Sequence, residues 1–138
     1  MTQINKIGVI GAGNMGSGIA QKIAQEGLPV VMVDVKAELV QRGLSNIKRL
    51  LSDAVERKIF TSAKVDEILA RITATTDFNA VADADIVIEA VFEDKTVKTE
   101  VFQKLDQICD PKTILATNTS SFYVREFAGV VSRPDRFI

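Results

Sequence analysis

The 138-residue sequence predicts an α/β fold: a mostly parallel sheet with helices on both faces and a two-helix insertion after the second strand. Three observations carry this. Short apolar runs alternate with segments of helical periodicity along the whole chain, a pattern that builds βαβ units with right-handed crossovers. The run at 86–91 is apolar but for one acid, as a strand covered on both faces must be, and 113–117 reads as the next buried strand. The first run, Ile7-Gly8-Val9-Ile10, closes on Gly11-Ala12-Gly13-Asn14-Met15-Gly16 and leads into an amphipathic segment.

That opening stretch organises the rest. Gly11 supplies a tight turn, Gly13 lets backbone approach a pyrophosphate, and Gly16 lets the following helix pack closely on the strand. The helix start, with Asn14 and Met15 in its first turn, aims free N–H groups and the positive end of its dipole at phosphates. Met15, Ile19, Ala20, Ile23 and Ala24 recur at helical spacing and are expected to face the sheet. Gly27 stops the helix and Pro29 keeps it stopped. A second strand, Val30 to Val33, ends at Asp34, eighteen residues past Gly16. Strand, glycine turn, helix, strand and acid in this order form the dinucleotide-binding, Rossmann-type pattern. A carboxylate at 34 accepts both hydroxyls of a ribose diol and repels a 2′-phosphate, which favours NAD over NADP. Lys36 works the other way, because a nearby cation tolerates a phosphate.

A long helical pattern follows over residues 36–59, with Leu39, Val40, Leu44, Ile47, Leu50, Leu51, Ala54 and Val55 as its apolar stripe. Lys48, Arg49, Arg57 and Lys58 load the other side, either as a solvated face or as cations available to an anionic ligand. Thr61 or Ser62 caps a second helix carrying Val65, Ile68, Leu69 and Ile72. Two helices thus stand where one crossover suffices, long enough together to form an antiparallel arm. Residues 73–77 read as a short edge strand and 79–85 as a brief helix or turn. The apolar run 86–91 contains one acid and ends at Phe92-Glu93-Asp94. A helix from Lys95 puts Val97, Val101, Phe102, Leu105, Ile108 and Cys109 on one face until Asp110-Pro111 breaks it. The next buried strand runs into Asn118-Thr119-Ser120-Ser121. A short helix, 124–128, stops at Gly129, and Arg136-Phe137-Ile138 reads as the start of another strand.

In such sheets ligands lie outside the carboxyl ends of the strands. The glycine turn, Asp34, residues 92–98 and residues 118–121 all fall there. Ser120 and Ser121 can serve a ligand or cap the helix that follows, and spacing alone leaves both readings open.

Composition sets the outer limits. Hydrophobic residues make up 46% of the chain, as in a globular domain, and residues 1–138 are read as one such domain. A net charge of −1 and a pI near 5.5 leave no basic footprint for nucleic acid. No apolar run is long enough to span a membrane. No signal peptide fits the six residues before the first strand. One cysteine, Cys109, allows no internal disulfide and suits a reducing cytoplasm, as buried filler rather than a reactive thiol. No metal site is expected. There is no histidine. A hydroxy-acid dehydrogenase ordinarily uses one as its base, so that base is another residue or lies outside these 138.

The glycine turn with Gly-Ile-Ala-Gln at 18–21, Ile88-Glu89-Ala90-Val91-Phe92-Glu93, and Ala116-Thr117-Asn118-Thr119-Ser120-Ser121 together resemble the short-chain L-3-hydroxyacyl-CoA dehydrogenases, the bacterial 3-hydroxybutyryl-CoA enzymes above all. The resemblance spans the whole chain in order. It implies NAD-linked oxidation of a 3-hydroxyacyl-CoA, with Asp34 on the adenosine ribose and Glu93 and Lys98 around the nicotinamide half; Asn118 and Ser120 are also expected to bind the cofactor. It places Ser120 on the substrate oxygen and the two-helix arm on coenzyme A, with Arg57, and after it Lys58 or Arg49, on the phosphates. Asp53 departs from the lysine that some relatives carry there, which unsettles the details of the coenzyme A contact. In the family the segment resembling Arg136-Phe137-Ile138 continues into a Gly-x-His-Phe-Phe-Asn-Pro stretch that carries the general base. A helical C-terminal domain then closes the site and forms a homodimer. The resemblance therefore implies the cofactor domain of a longer enzyme. A stand-alone NAD sensor, and another NAD-linked hydroxy-acid dehydrogenase such as a crystallin-like sugar-acid enzyme, are the alternatives.

Overall fold

A computed structural model describes residues 3–138. Five strands form one sheet: β1 (Ile7–Ile10), β2 (Val30–Val33), β3 (Ile72–Thr75), β4 (Ile86–Glu89) and β5 (Ile114–Thr117). Five helices connect and follow them: α1 (Asn14–Gln25), α2 (Ala37–Glu56), α3 (Ser62–Ala70), α4 (Lys95–Ile108) and α5 (Val124–Ala128). All four strand pairings are parallel, in the order β3-β2-β1-β4-β5. From β1 the chain winds outward through β2 and β3, then returns to place β4 on the other flank of β1. That reversal opens a crevice above the carboxyl ends of β1 and β4, where sheets of this kind hold ligands.

Alternation along the central strands divides the core in two. Val9, Val30 and Met32 face Ala20, Ala24, Ile47, Leu51 and Ile68 on the side of α1, α2 and α3. Ile10, Val31, Val33 and Val87 face Phe102, Leu105, Phe127 and Phe137 on the side of α4 and α5. The two-helix insertion therefore packs back on the sheet through its apolar stripe and leaves its turn, Arg57 to Ile59, exposed.

Several expectations need correction. Among the five residues assigned to the sheet face of α1, Ala20 and Ala24 are buried, Ile19 and Ile23 are half-buried against the same cluster, and only Met15, 59% exposed, departs from it. The reason is closeness of approach: a Cβ on Gly16 would stand 1.9 Å from the Gly11 carbonyl oxygen. Only small residues fit such a contact, so the large ones move to the rim. The edge strand begins at Ile72, and a single 3-10 turn, Phe78–Val81, occupies the start of the next segment. The run at 86–91 leaves the sheet after Glu89, and Arg136 sits in a 3-10 turn. Phe137 makes only one parallel bridge, to Leu115.

Candidate functional site

Missing side chains shape the first half of the crevice. Gly11 adopts φ +114°, and a Cβ there would lie 2.4 Å from the Ala90 carbonyl oxygen. At Gly13 a Cβ would meet nothing within 4 Å, so this side of the turn is open to a ligand. Gly13 is also the N-cap of α1; no side chain caps it, and no acid stands in the first turn. The helix start keeps its N–H groups and its positive field for an anion. Asp34 holds the turn in place from β2: its Oδ2 accepts the Ala12 N–H at 2.8 Å and its Oδ1 accepts the Val35 N–H at 2.7 Å. A carboxylate has lone-pair positions beyond these two, so a diol can still be accepted. The crevice, about 490 Å³, is lined by Gly11, Gly13, Asn14, Met15 and Asp34 on one side and by Ala90, Val91, Phe92 and Val97 on the other.

Buried charge shapes the second half. Glu89 closes β4 at 0% exposure, and Lys98, one turn into α4, is 1% exposed. Asp94 starts that helix by accepting the Val97 N–H at 3.0 Å. Lys98 Nζ reaches Glu89 Oε1 at 2.5 Å, the Val91 carbonyl at 3.4 Å and Glu93 Oε1 at 3.6 Å. Its three N–H donors thus face three acceptors. Glu89 also accepts the Val91 N–H at 2.9 Å and the Thr117 hydroxyl at 2.6 Å, and Glu93 accepts the Thr119 hydroxyl.

Asn118 and Ser120 follow β5 on the same end of the sheet, both exposed; the Asn118 N–H donates to the Glu89 carbonyl at 3.0 Å. Neither serine caps α5. Tyr123 occupies that position, and its N–H donates to Glu126 Oε2 at 2.9 Å. On the arm, Arg49 is held on the helix surface by Asp53 at 3.3 Å and by Asn46 at 3.1 Å. Arg57 and Lys58 are exposed at the turn, Lys58 with φ 58°, and neither has an ion-pair partner among the described residues. Of the three cations assigned to coenzyme A, Arg57 and Lys58 are unpaired among the described residues and Arg49 is paired.

The family model for the NAD-binding domain of 3-hydroxyacyl-CoA dehydrogenases matches residues 6–138. The chain belongs to this family. It is 45% identical over 136 residues to a probable 3-hydroxybutyryl-CoA dehydrogenase of Bacillus subtilis, covering 99% of this chain and 47% of that protein. It is 41% identical over 135 residues to a fatty acid oxidation complex subunit alpha of a Psychrobacter species, covering 98% of this chain and 19% of that subunit. The crystal structure of (S)-3-hydroxybutyryl-CoA dehydrogenase from Ralstonia eutropha superposes with a TM-score of 0.95 at 39% identity, over 97% of this chain and 47% of that one. The chain spans about half the length of the 3-hydroxybutyryl-CoA dehydrogenases it matches. The family's cofactor is NAD, and the open glycine turn, the uncapped helix start and the acid closing β2 fit it.

In the sequence Glu89 and Thr117 stand only within the quoted motifs, and Thr119 only within a run of small polar residues open to a ligand; none has a role in an ion-pair network there. Glu89 carried a usable signal: one acid in an otherwise apolar run, with a lysine nine residues later. The threonines lie in the 116–121 motif, but nothing in its spacing says which acids their hydroxyls meet.

Proposed function

We propose that residues 1–138 are the cofactor domain of an NAD-linked 3-hydroxyacyl-CoA dehydrogenase, acting on a short acyl chain such as 3-hydroxybutyryl-CoA. The observation that carries this reading is the junction of two loops at one end of the sheet. The glycine turn and Asp34 flank the crevice on one side, and the loop bearing Asn118 and Ser120 stands beyond β4 on the other. NAD, when bound, supplies the hydride acceptor. This chain's own residues bind and orient. The turn at Gly11, Gly13, Asn14, Met15 and Gly16 holds the diphosphate, Asp34 takes the ribose diol, and Glu93 with Asn118 borders the nicotinamide. Lys98 belongs to this site through Glu93 and Glu89. The Ser120 hydroxyl donates to the substrate oxygen, on which charge develops as its proton leaves. Arg57 and Lys58 pair with the phosphates of coenzyme A, while Arg49 is partly neutralised by Asp53.

With no histidine among the 138 residues, the base that takes the hydroxyl proton comes from a further domain, which also forms the homodimer. The single buried cysteine is consistent with a reducing, cytoplasmic setting. No helix of the described residues is long and apolar enough to cross a membrane. The test is acetoacetyl-CoA-dependent oxidation of NADH. Residues 1–138 bind NADH and show no turnover; turnover matching that of the longer dehydrogenase would overturn the placement of the base. In the longer enzyme, Ser120→Ala lowers kcat by about 10²-fold, as loss of one donor to a developing oxyanion does.

A further inference from the structure

The ion pair beneath β4 is connected to more than itself. Thr117 Oγ1 donates to Glu89 and accepts the Thr119 N–H at 3.3 Å. Thr119 Oγ1 donates to Glu93 and accepts the Ser121 N–H at 3.2 Å and the Phe122 N–H at 3.4 Å. A hydroxyl has one proton and two lone pairs. A carboxylate that takes the proton turns the lone pairs toward the backbone. Each acid therefore decides which way its threonine faces, and each threonine then fixes the loop amides that follow it. Lys98 joins the two acids: it compensates Glu89, which is fully buried, and reaches toward the exposed Glu93 at 3.6 Å.

From this continuous chain we infer that Glu89, Lys98 and Glu93 form a clasp that sets the conformation of residues 118–122, and with it the place of Ser120. These are positioning residues acting through Thr117 and Thr119. The loop is anchored at its two ends, by the Asn118 N–H on the Glu89 carbonyl at 3.0 Å and by Phe122 against Phe127, and between them Ser120 and Ser121 are exposed and neither caps α5. Fixing the loop in advance removes an ordering cost when a ligand arrives. The consequence for cofactor affinity rests on the NAD reading above; the order of the loop does not.

The test is backbone amide exchange by NMR on ligand-free residues 1–138, with NADH and ADP-ribose titrations alongside. In Thr119→Val, exchange at Ser121 and Phe122 rises about tenfold, while the Ala12 amide held by Asp34 is unchanged. Thr119→Ser, which keeps the hydroxyl, exchanges like the parent. Glu89→Gln raises exchange at Thr119 as well. NADH affinity falls about fivefold in Thr119→Val with ADP-ribose affinity unaltered, because only the nicotinamide end reaches this loop. Unchanged exchange at Ser121 and Phe122 in Thr119→Val, or failure of Thr119→Ser to restore it, overturns the clasp. A parent chain that binds neither nucleotide overturns the NAD reading instead, and the exchange rates still decide the clasp.

Discussion

The two walls of the crevice are built by opposite means. On the β1 side the backbone comes close because side chains are missing: Gly11 and Gly16 sit where a Cβ would strike a carbonyl oxygen at 2.4 and 1.9 Å. On the β4 side the geometry is held by side chains that are present, charged and withdrawn from water, Glu89 and Lys98. The first wall is steric and local. The second is electrostatic and assembled from β4, α4 and β5. A steric wall fails when anything is added, and an electrostatic wall fails when anything is taken away.

Substitutions that respect this difference should break each wall separately. The largest loss is expected from Lys98→Met, which strands Glu89 as an uncompensated buried charge and costs about 3–5 kcal/mol in urea unfolding. Combining it with Glu89→Gln removes the stranded charge, so the double variant should be more stable than Lys98→Met alone. Gly16→Ala comes next. Its methyl group meets the Gly11 carbonyl, so α1 shifts off the turn, at a cost of about 1–3 kcal/mol. Gly13→Ala sharpens the contrast, because its methyl group meets no protein atom. Stability should stay within about 1 kcal/mol of the parent while NADH affinity drops about tenfold or more in calorimetry, the space being the ligand's.

The smallest effect concerns Cys109, at the end of α4 and remote from both walls. Burial raises its thiol to about 11 from an ordinary 9.0, with Arg133 opposing and Asp106 adding slightly. The folded state then holds the proton more tightly than the unfolded chain. The contribution of this group to stability is complete below pH 9 and declines as pH rises beyond it. Maleimide at pH 8 should label the native chain about a hundredfold more slowly than the urea-unfolded chain. Equal rates would mean that the helix end is open.

The same contrast explains what was legible in the sequence. Glycine spacing, the acid closing β2 and the alternation of strands with helices are local signals, and they located the turn, the parallel sheet and the crevice. The long α2 and the cap at Thr61 were legible for the same reason. On α1 only Met15 escapes the expected face, since periodicity counts apolar residues and takes no account of how near a glycine brings two backbones. The resemblance names Lys98 as a cofactor residue, but its burial was not legible. That depends on Glu89 and Glu93 converging on it from across the end of β4, and no spacing rule encodes such a meeting. Asp53 likewise looked like a substitution within a ligand contact, and the structure makes it the partner of Arg49.

The central claim is that a dinucleotide lies over β1 and β4 with its ribose on Asp34, and calorimetric titration of residues 1–138 with NADH and NADPH tests it most directly. The parent should bind NADH about tenfold or more tightly than NADPH, and Asp34→Ala should weaken NADH by about tenfold and abolish that preference, as loss of a charged acceptor for a diol requires. No heat with NADH, or an Asp34→Ala variant that binds as the parent does, would contradict the account.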